Sequence, residues 1–425
     1  MKKTSTDALR AKYPEFIYRA FHWEVSKGNL LIKYDFRAGD SYQFSPGLVY
    51  KNINEKFVFS NKKTIDNLVF NIGMVELLSY WKAFVSPRIV VECGYLDNYQ
   101  KKWWEDLLIN GMGQFFYENN IDFTEKNFIQ FISGVKKESR SSASVPPESV
   151  LVASGGGKDS TVSIEILSNY FKNVTAFLLN PTKATREVSK LANIKNLIIE
   201  RNLDETLLAI NKKGFPNGHT PFTALLSFTG ILGAVLGNHD SLIFSDERSS
   251  DEGNTKYLGM SVNHQYSKTL EFENKFREYN TRYLSNVDYF SFLRPIYDFQ
   301  IAKIFSGFNK YFPIIRSCNV GQKTGTWCGS CPKCLSTFIL LYPFLKEEAV
   351  AMFGKNLLKD KGLEPLLKSL ISESEVKPFE CVGTRDELKV ALGISTDKNI
   401  LKSWSDKNNL PDIYQKILKK YVYAE

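Results

Sequence analysis

Between residues 150 and 245, short apolar segments alternate with longer segments of helical periodicity. The apolar segments are predicted to be strands, at 150–153, 174–179, 196–199 and 241–245. Helices are predicted between and after them, at 159–170, 185–192, 203–211 and 221–236. Strands that are apolar throughout and separated by helices are typical of a parallel sheet covered on both faces. The sequence therefore predicts an α/β fold built on a parallel, doubly wound sheet.

Other parts of the chain flank this sheet. Residues 1–134 are predicted to form an N-terminal α+β domain, with strands at 30–34, 56–59 and 88–93 and helices at 68–84 and 101–117. Residues 135–149 are rich in Ser, Lys and Pro and are predicted to form a linker. The sheet domain then extends over residues 150–345, and residues 346–425 are predicted to be a helical C-terminal region.

The apolar segments are too short for a membrane protein. A membrane helix needs about 20 apolar residues in a row. The best candidate, 222–237, contains Ser, Thr and Gly, and is predicted to be a buried helix of the α/β core. The first residues, MKKTSTDALR, lack the apolar stretch of a signal peptide. A cytoplasmic location is therefore expected.

The segment VLVASGGGKDSTVSIEIL combines a strand, a glycine-rich turn and a helix. Glycine lets the backbone approach a phosphate closely, and the first turn of a helix offers unpaired N–H groups. Two serines can add hydroxyl donors, and a lysine can add a positive charge. The predicted phosphate-binding residues are Ser154, Gly155, Gly156, Gly157, Lys158, Asp159 and Ser160.

The spelling of this loop excludes two common nucleotide motifs. A Walker A loop would need Gly in place of Val152 and Ser or Thr in place of Asp159, and a dinucleotide fingerprint would need Gly in place of Ser160. The remaining pattern, Ser-Gly-Gly-x-Asp-Ser, resembles the pyrophosphate loop of the N-type ATP pyrophosphatases, the PP-loop superfamily of adenine nucleotide α-hydrolase-like fold. That resemblance implies adenylation of a carboxylate, amide or carbonyl oxygen by ATP. Because a carboxylate at Asp159 would repel phosphates, Mg²⁺ (or Mn²⁺) is expected between them. A glycine-rich turn without a ligand is the alternative.

Four of the six cysteines cluster with the spacing Cys318-x9-Cys328-x2-Cys331-x2-Cys334. In a reducing compartment such a cluster indicates a metal site rather than disulfides. Four thiolates can close a tetrahedral zinc site with a structural role, but they can also bind an iron–sulfur cluster, or one of them can act as an acid or base. The spacing is similar to the zinc site of the 7-cyano-7-deazaguanine synthase family, which belongs to the PP-loop superfamily and is shorter than this chain.

Three further segments, GHTPFTALLS, FSDERSS and VNHQYSKTLEFE, lie between the loop and the cysteines. Together with SGGGKDS, CNVGQ and WCGSCPKC, their order resembles the UDP-N-acetyl-α-muramoyl-L-alanyl-L-glutamate epimerase family, MurL. The resemblance extends from near residue 18 to about residue 357. It implies inversion of the terminal L-Glu of a UDP-activated muramoyl dipeptide in peptidoglycan synthesis, with ATP and a divalent metal. Adenylation would remove the carboxylate charge, so that a modest base could take the α-proton.

Five residues are candidates for the acid, the base and a carboxylate partner. His219 precedes an apolar helix, and His264 precedes a lysine and a glutamate. Asp246, Glu247 and Arg248 follow the strand at 241–245, at the edge where parallel sheets bind ligands. Arg248 suits a carboxylate or a phosphate. Ordinary structural roles remain the alternative for both histidines, and a solvated loop for the two acidic residues. Cys93 is predicted to lie in the core, and Cys381 stands alone.

The net charge of +9 is compatible with more than one kind of binding partner. A basic surface suits an anionic substrate such as a UDP-sugar, but it also suits nucleic acid, or is simply solvated. A nucleobase-modifying or amide-forming PP-loop enzyme, a tRNA-modifying enzyme and a nucleotide sensor therefore remain alternatives to the epimerase. Nucleic acid is the less expected partner, because Trp23, Trp103 and Trp104 are spaced like core residues rather than a stacking platform. The oligomeric state does not follow from the sequence.

Overall fold

The computed structural model describes residues 6–134, 149–321 and 324–424. Strands in these residues are β1 (Glu15–Ser26), β2 (Asn29–Ala38), β3 (Tyr42–Phe44), β4 (Gly47–Tyr50), β5 (Arg88–Val91), β6 (Gln130–Ser133), β7 (Ser149–Ala153), β8 (Asn173–Leu179), β9 (Lys195–Asn202), β10 (Ser241–Phe244), β11 (Thr255–Tyr257), β12 (Met260–Val262) and β13 (Asp288–Ser291). The predicted linker falls almost wholly on residues 135–148, outside the described residues.

The helices lie on both faces of the sheet and beyond it. They are α1 (Thr6–Lys12), α2 (Glu55–Ser60), α3 (Lys62–Glu76), α4 (Leu78–Trp81), α5 (Asn98–Gly111), α6 (Gly113–Asn119), α7 (Lys158–Ser168), α8 (Lys183–Leu191), α9 (Glu205–Lys212), α10 (Phe222–Gly237), α11 (Leu270–Tyr279), α12 (Asp298–Phe305), α13 (Pro332–Leu345), α14 (Glu347–Phe353), α15 (Glu364–Ile371), α16 (Arg385–Ala391) and α17 (Asp412–Val422). Short 3₁₀ turns include Arg248–Asp251 and Tyr266–Lys268, and Asn280–Leu284 is a π-helical turn.

Eleven strands of the described chain form one sheet in the order β13-β10-β7-β8-β9-β4-β2-β1-β5-β6, with β3 beside β2. The strands from β13 to β9 are mutually parallel. Those from β9 to β1 pair antiparallel, and β5 and β6 are parallel to β1. The predicted α/β class is thus confirmed as a mixed fold with a large, mostly parallel sheet and a helical C-terminal region.

The parallel part of the sheet is wound outward from β7. The chain proceeds from β7 to β8 and β9 on one side, and β10 and β13 lie on the other side. Ligands of such sheets bind at the carboxyl ends of the strands where the winding direction changes. That point lies between β7 and β10.

Packing on both faces explains why these strands are apolar throughout. Leu242 and Phe244 of β10 belong to the core cluster that includes α3, α5, α10 and α11, whereas Ile243 joins α7, α12 and α13 on the other face. Helix α10 is buried over nearly all of residues 223–236, as predicted. Among the described helices, none is long and apolar enough to cross a membrane.

The N-terminal residues continue the same sheet. Strand β4 pairs antiparallel with β9, so that Gly47 faces Asn202 and Tyr50 faces Ile199. The boundary proposed near residue 134 is therefore not a break in the sheet, and the domain bounds stay predictions. The predicted strand at 56–59 is wrong: this segment lies in α2, whose N-cap Asn54 accepts a hydrogen bond from the Phe57 amide at 3.3 Å. So short an apolar run does not distinguish a strand from a helix.

Candidate active site

A cavity of about 540 Å³ opens at the carboxyl ends of β7, β8 and β10. Its walls come from the phosphate loop after β7, the end of β8, the start of α10 and the residues after β10. The lining is completed by His264, Gln265, Ser267, Lys268, Arg316, Ser317, Asn319, Lys333 and Cys381. The cavity thus lies where the winding direction of the sheet changes, as the rule for parallel sheets requires.

The glycine-rich loop forms one wall of the cavity. Ser154, Gly155, Gly157, Asp159 and Ser160 line it. Gly157 is the N-cap of α7 and makes no side-chain capping bond, so the first N–H groups of the helix are available to an anion at this end. The Ser154 Oγ is buried and has no hydrogen-bond partner among the described residues. The loop therefore has donors for a phosphate group.

Two glycines of the loop are required by close approach. Gly156 has a φ of +74°, and a Cβ there would lie 2.9 Å from the Thr185 amide nitrogen at the start of α8. A Cβ on Gly157 would lie 2.5 Å from the Ser317 Oγ. The loop is therefore clamped between α8 and residues 316–319, whose Arg316 amide also donates to the Gly156 carbonyl at 2.9 Å.

Lys158, predicted to contact phosphate, is directed into the protein. Its Nζ contacts the carboxylates of Asp159 and Asp298, and the lysine side chain is almost fully buried. Cationic groups at the cavity come instead from Lys268, Arg316 and Lys333.

Asp246 and Glu247 follow β10 and line the cavity. Burial raises the pKa of Asp246 to about 6, although Lys268, whose Nζ lies 3.7 Å from the Asp246 Oδ1, opposes the shift. Burial, reinforced by the carboxylates of Asp159 and Asp298, raises the pKa of Glu247 to about 8. The site therefore holds acidic groups that can carry a proton near neutral pH.

The two histidines of the sequence prediction stand side by side. The ring centroids of His219 and His264 are 4.5 Å apart. Burial, with His264 and Lys82 nearby, lowers the pKa of His219 to about 3, so this ring is neutral. The Lys82 Nζ donates to the Gly218 carbonyl at 2.8 Å and so holds the backbone next to His219 in place.

Of the five candidate catalytic residues, four line the cavity and Arg248 does not. The Arg248 amide donates to the Ile296 carbonyl at 2.9 Å. Its guanidinium lies 4.5 Å from the centre of the Tyr297 ring and donates to the Ser403 Oγ at 3.2 Å. The 3₁₀ turn that begins at Arg248 thus directs this side chain to the C-terminal region.

Among the cavity residues that received no role from the sequence are Arg316, Lys333 and Cys381. Arg316 lies two residues before Cys318 and Lys333 lies between Cys331 and Cys334, so the spacing of the cysteines could have pointed to both. Cys381 is an isolated cysteine, far along the chain from every motif, and no pattern marks it. Cys93, predicted to be core, is half-buried and packs against the apolar core.

The four clustered cysteines lie close enough together to hold one metal ion. Their sulfur atoms all lie within 4.8 Å of one another, with Sγ distances of 3.9 Å for Cys318–Cys331 and 3.7 Å for Cys328–Cys334. Thiolates bonded to one tetrahedral zinc at about 2.3 Å stand about 3.8 Å apart. Because Cys318 follows Ser317 and Cys331 precedes Lys333, the cluster also anchors part of the cavity wall.

Comparison with known proteins gives a consistent result over most of the chain. The family model described as "MurL N-terminal domain" matches residues 7–292, and the one described as "MurL C-terminal domain" matches residues 312–423. A curated relative from Xanthomonas oryzae pv. oryzae, named UDP-N-acetyl-alpha-D-muramoyl-L-alanyl-L-glutamate epimerase, is 32% identical over 79% of this chain and 76% of its own length. Relatives of the same name from Salinispora tropica and a Micromonospora species are 32% and 28% identical, each over 92% of this chain and over 86% and 88% of their own lengths.

Proposed function

The chain belongs to the MurL epimerase family, and we propose that it inverts the terminal glutamate of UDP-MurNAc-L-Ala-L-Glu from L to D in peptidoglycan precursor synthesis. In addition to the similarity to these relatives, one structural observation supports the proposal. The phosphate loop lines the same cavity as the paired histidines His219 and His264 and the acidic residues Asp246 and Glu247. A nucleotide and an α-carbon can therefore be held in one site. Because ATP and UDP-activated precursors are cytoplasmic compounds, we place the enzyme in the cytoplasm.

The proposed reaction begins with adenylation, the reaction of PP-loop enzymes. The glutamate α-carboxylate attacks the α-phosphorus of ATP, and pyrophosphate leaves. The mixed anhydride lacks the carboxylate charge, so the electron pair of the Cα–H bond can move to the carbonyl oxygen when a base takes the proton. Protonation on the opposite face inverts the centre, and hydrolysis then releases AMP and the D-Glu product.

The donors of the loop suit the triphosphate of ATP. The unpartnered Ser154 Oγ and the uncapped start of α7 are on the cavity side. The Cβ position of Gly155 has no atom within 4 Å, so its backbone faces open space. Arg316 and Lys333 add positive charge that compensates the phosphates.

Asp159 and Glu247 would hold the Mg²⁺ (or Mn²⁺) ion. Both line the cavity, and the Asp159 carboxylate contributes to the raised pKa of Glu247. A cation between phosphates and carboxylates removes this repulsion. When bound, such an ion neutralises charge on the phosphates.

We propose that the cysteine cluster binds one structural Zn²⁺. The sulfur spacing fits a single tetrahedral ion, whereas a cluster with bridging sulfides would need more widely spaced thiolates. Four thiolates fill all positions of such an ion, so it would stabilise the wall of the cavity without taking part in the reaction.

The direct test is to incubate the protein with ATP, Mg²⁺ and UDP-MurNAc-L-Ala-L-Glu. After acid hydrolysis, chiral chromatography should detect D-Glu, and AMP and pyrophosphate should form in equal amounts. A reaction without ATP is the control and should leave the L epimer unchanged. A folded protein that forms neither D-Glu nor AMP contradicts the proposal, and D-Glu without AMP contradicts the adenylation step.

Replacement of Asp159 tests the role of the metal. Asp159→Asn keeps the shape of the side chain but removes its charge, so AMP formation should fall by at least about 100-fold, equivalent to about 2.7 kcal/mol. Raising the Mg²⁺ concentration should restore part of the rate. Asp40→Asn, at an exposed turn outside the cavity, is the matched control and should behave as the wild type.

A further inference from the structure

The cavity contains a cysteine that sequence patterns do not mark. Cys381 lies between α15 and α16 and lines the cavity with His264, Lys268 and Lys333. It is half-buried, and the neighbouring His264 side chain is one of the groups that lower the pKa of its thiol. A sulfur atom at this position can reach a ligand in the cavity.

A relay of polar side chains orients His264 toward Cys381. The Gln114 Nε2 donates to the Glu118 Oε1 at 2.8 Å, which fixes the orientation of the Gln114 amide. The Gln114 Oε1 therefore faces the His264 Nδ1, 2.6 Å away, and accepts its hydrogen. Because Nδ1 carries its hydrogen toward Gln114, Nε2 is the nitrogen that can accept the proton of the Cys381 thiol as the sulfur ionises.

The charges around Cys381 favour the ionised sulfur. Burial would raise the pKa of the thiol, but Lys268, Lys333 and His264 outweigh it and bring the pKa well below its usual value. Acidic groups also face this region, because Asp246 pairs with Lys268 and Glu380 precedes the cysteine. Positive charge still prevails at the sulfur.

A second feature of this part of the cavity suits a ligand with hydrogen-bond donors. Gln265 is only 4% exposed, yet its Oε1 has no hydrogen-bond partner among the described residues. The residue lines the cavity beside His264. A buried amide oxygen without a hydrogen-bond partner destabilises the protein unless a ligand or water donates to it. The amide groups of a dipeptide are suitable donors.

We propose that the sulfur of Cys381, oriented by His264, is the acid/base group on one face of the glutamate α-carbon. This inference rests on the proposed epimerase function. The sulfur takes the α-proton as the Cα–H bond breaks, and the electron pair moves to the oxygen of the activated carboxyl group. Water, or a protonated group on the opposite face, supplies the proton that restores the Cα–H bond, and the S–H proton returns to solvent. In the reverse direction the S–H bond donates.

The test separates proton transfer from adenylation. Wild type, Cys381→Ala and Cys381→Ser are compared by pyrophosphate exchange into ATP, which reports adenylation, and by deuterium uptake at the glutamate α-carbon in ²H₂O, started from each epimer. Cys381→Ala should retain pyrophosphate exchange, lose epimerisation by about 10²–10⁴-fold and incorporate deuterium into only one epimer. Cys93→Ala is the matched control, because Cys93 packs against the core outside the cavity.

Each other outcome has a defined meaning. Epimerisation by Cys381→Ala within threefold of the wild-type rate overturns the inference, as does an equal loss of both partial reactions in a variant with wild-type melting temperature. Failure of pyrophosphate exchange in the wild type instead counts against the proposed function.

A measurement on the wild type keeps the inference testable if the variants unfold. Alkylation of Cys381 by iodoacetamide should reach half its maximal rate at a pH below the usual pKa of a thiol. ATP together with the substrate should protect Cys381 from alkylation, and peptide mass mapping would detect both effects. Gln114→Met, which removes the acceptor for His264 Nδ1, should move this pH profile upward. A profile typical of an ordinary thiol, with no protection, contradicts the inference.

Discussion

Glu76 and Arg201 form a buried, two-point ion pair across the junction between the N-terminal strands and the parallel part of the sheet. The Arg201 Nε lies 2.9 Å from the Glu76 Oε2, and the Arg201 Nη2 lies 2.9 Å from the Glu76 Oε1. The glutamate side chain is 1% exposed and the arginine side chain 12%. Arg201 lies at the end of β9, so the pair holds α3 against the strand that joins the two parts of the sheet.

Breaking this pair should destabilise the protein strongly. Glu76→Gln leaves the guanidinium of Arg201 buried without its counter-charge, and we expect the free energy of unfolding to fall by about 3–5 kcal/mol. Urea denaturation gives the value. The matched control is Lys51→Gln, because the Lys51–Glu200 pair, at 2.9 Å between neighbouring strands, is about a third to a half exposed. The control should change stability by less than about 1 kcal/mol, and equal losses in both variants contradict the expectation.

A substitution at Gly155 can separate an effect on phosphate binding from an effect on folding. A Cβ at this position meets no atom within 4 Å and would project beside the phosphate donors of the cavity. Gly155→Ala should therefore keep the wild-type melting temperature but weaken ATP binding about tenfold, equivalent to about 1.4 kcal/mol. Isothermal titration calorimetry would measure the affinity. In the control Gly307→Ala, away from the cavity, ATP affinity should stay unchanged, and unchanged affinity in both variants would place the phosphates elsewhere.

The features that the sequence predicts are those encoded in contiguous residues. The strands β7, β8 and β10 are apolar because both faces of the sheet are buried. The phosphate loop is encoded in the seven consecutive residues Ser154 to Ser160. The position of Asp246 and Glu247 at the cavity follows from the rule for parallel strands, whereas His219 and His264 reach it from the segment before α10 and the residues after β12.

The remaining features depend on contacts between distant segments. The pairing of β4 with β9, the contact of Gln114 with His264 and that of Lys158 with Asp298 each join residues that no periodicity links. Cys381 enters the cavity only because the C-terminal region folds back over the sheet. Conversely, Arg248 is adjacent in sequence to Glu247 but is turned away, since one residue of a 3₁₀ turn rotates the next side chain by about a third of a turn.

Removal of the proposed zinc ion should loosen the cavity wall. The pure protein should contain one zinc per chain by elemental analysis, and strong chelation should lower the melting temperature and then ATP binding, because residues 316–319 cover the phosphate loop.

Cys331→Ser should lower stability rather than selectively remove catalysis, with Cys93→Ser as the control outside the cluster. Detection of iron, with visible absorption, would mean that the cysteines bind iron rather than zinc. A stable but inactive Cys331→Ser variant would mean that this cysteine has a catalytic role.

Stability at acidic pH should depend on His219. Its pKa in the folded protein is lowered to about 3 from 6.5, mainly by burial. As pH falls below 6.5, the unfolded chain takes up a proton at this residue while the folded protein does not, so stability that is complete above pH 6.5 is lost progressively toward pH 3. Between pH 7.5 and 5.0 this loss amounts to at most about 2 kcal/mol.

The variant His219→Gln isolates this contribution. Other groups titrate in the same range, and Glu247, whose pKa is raised to about 8, acts in the opposite direction because its stability contribution falls as pH rises from about 4.5 to 8. Urea unfolding of both proteins at pH 7.5 and 5.0 cancels these shared terms. The wild type should lose more stability than the variant on acidification, whereas equal losses would mean that the His219 ring is hydrated in the folded protein and can accept a proton.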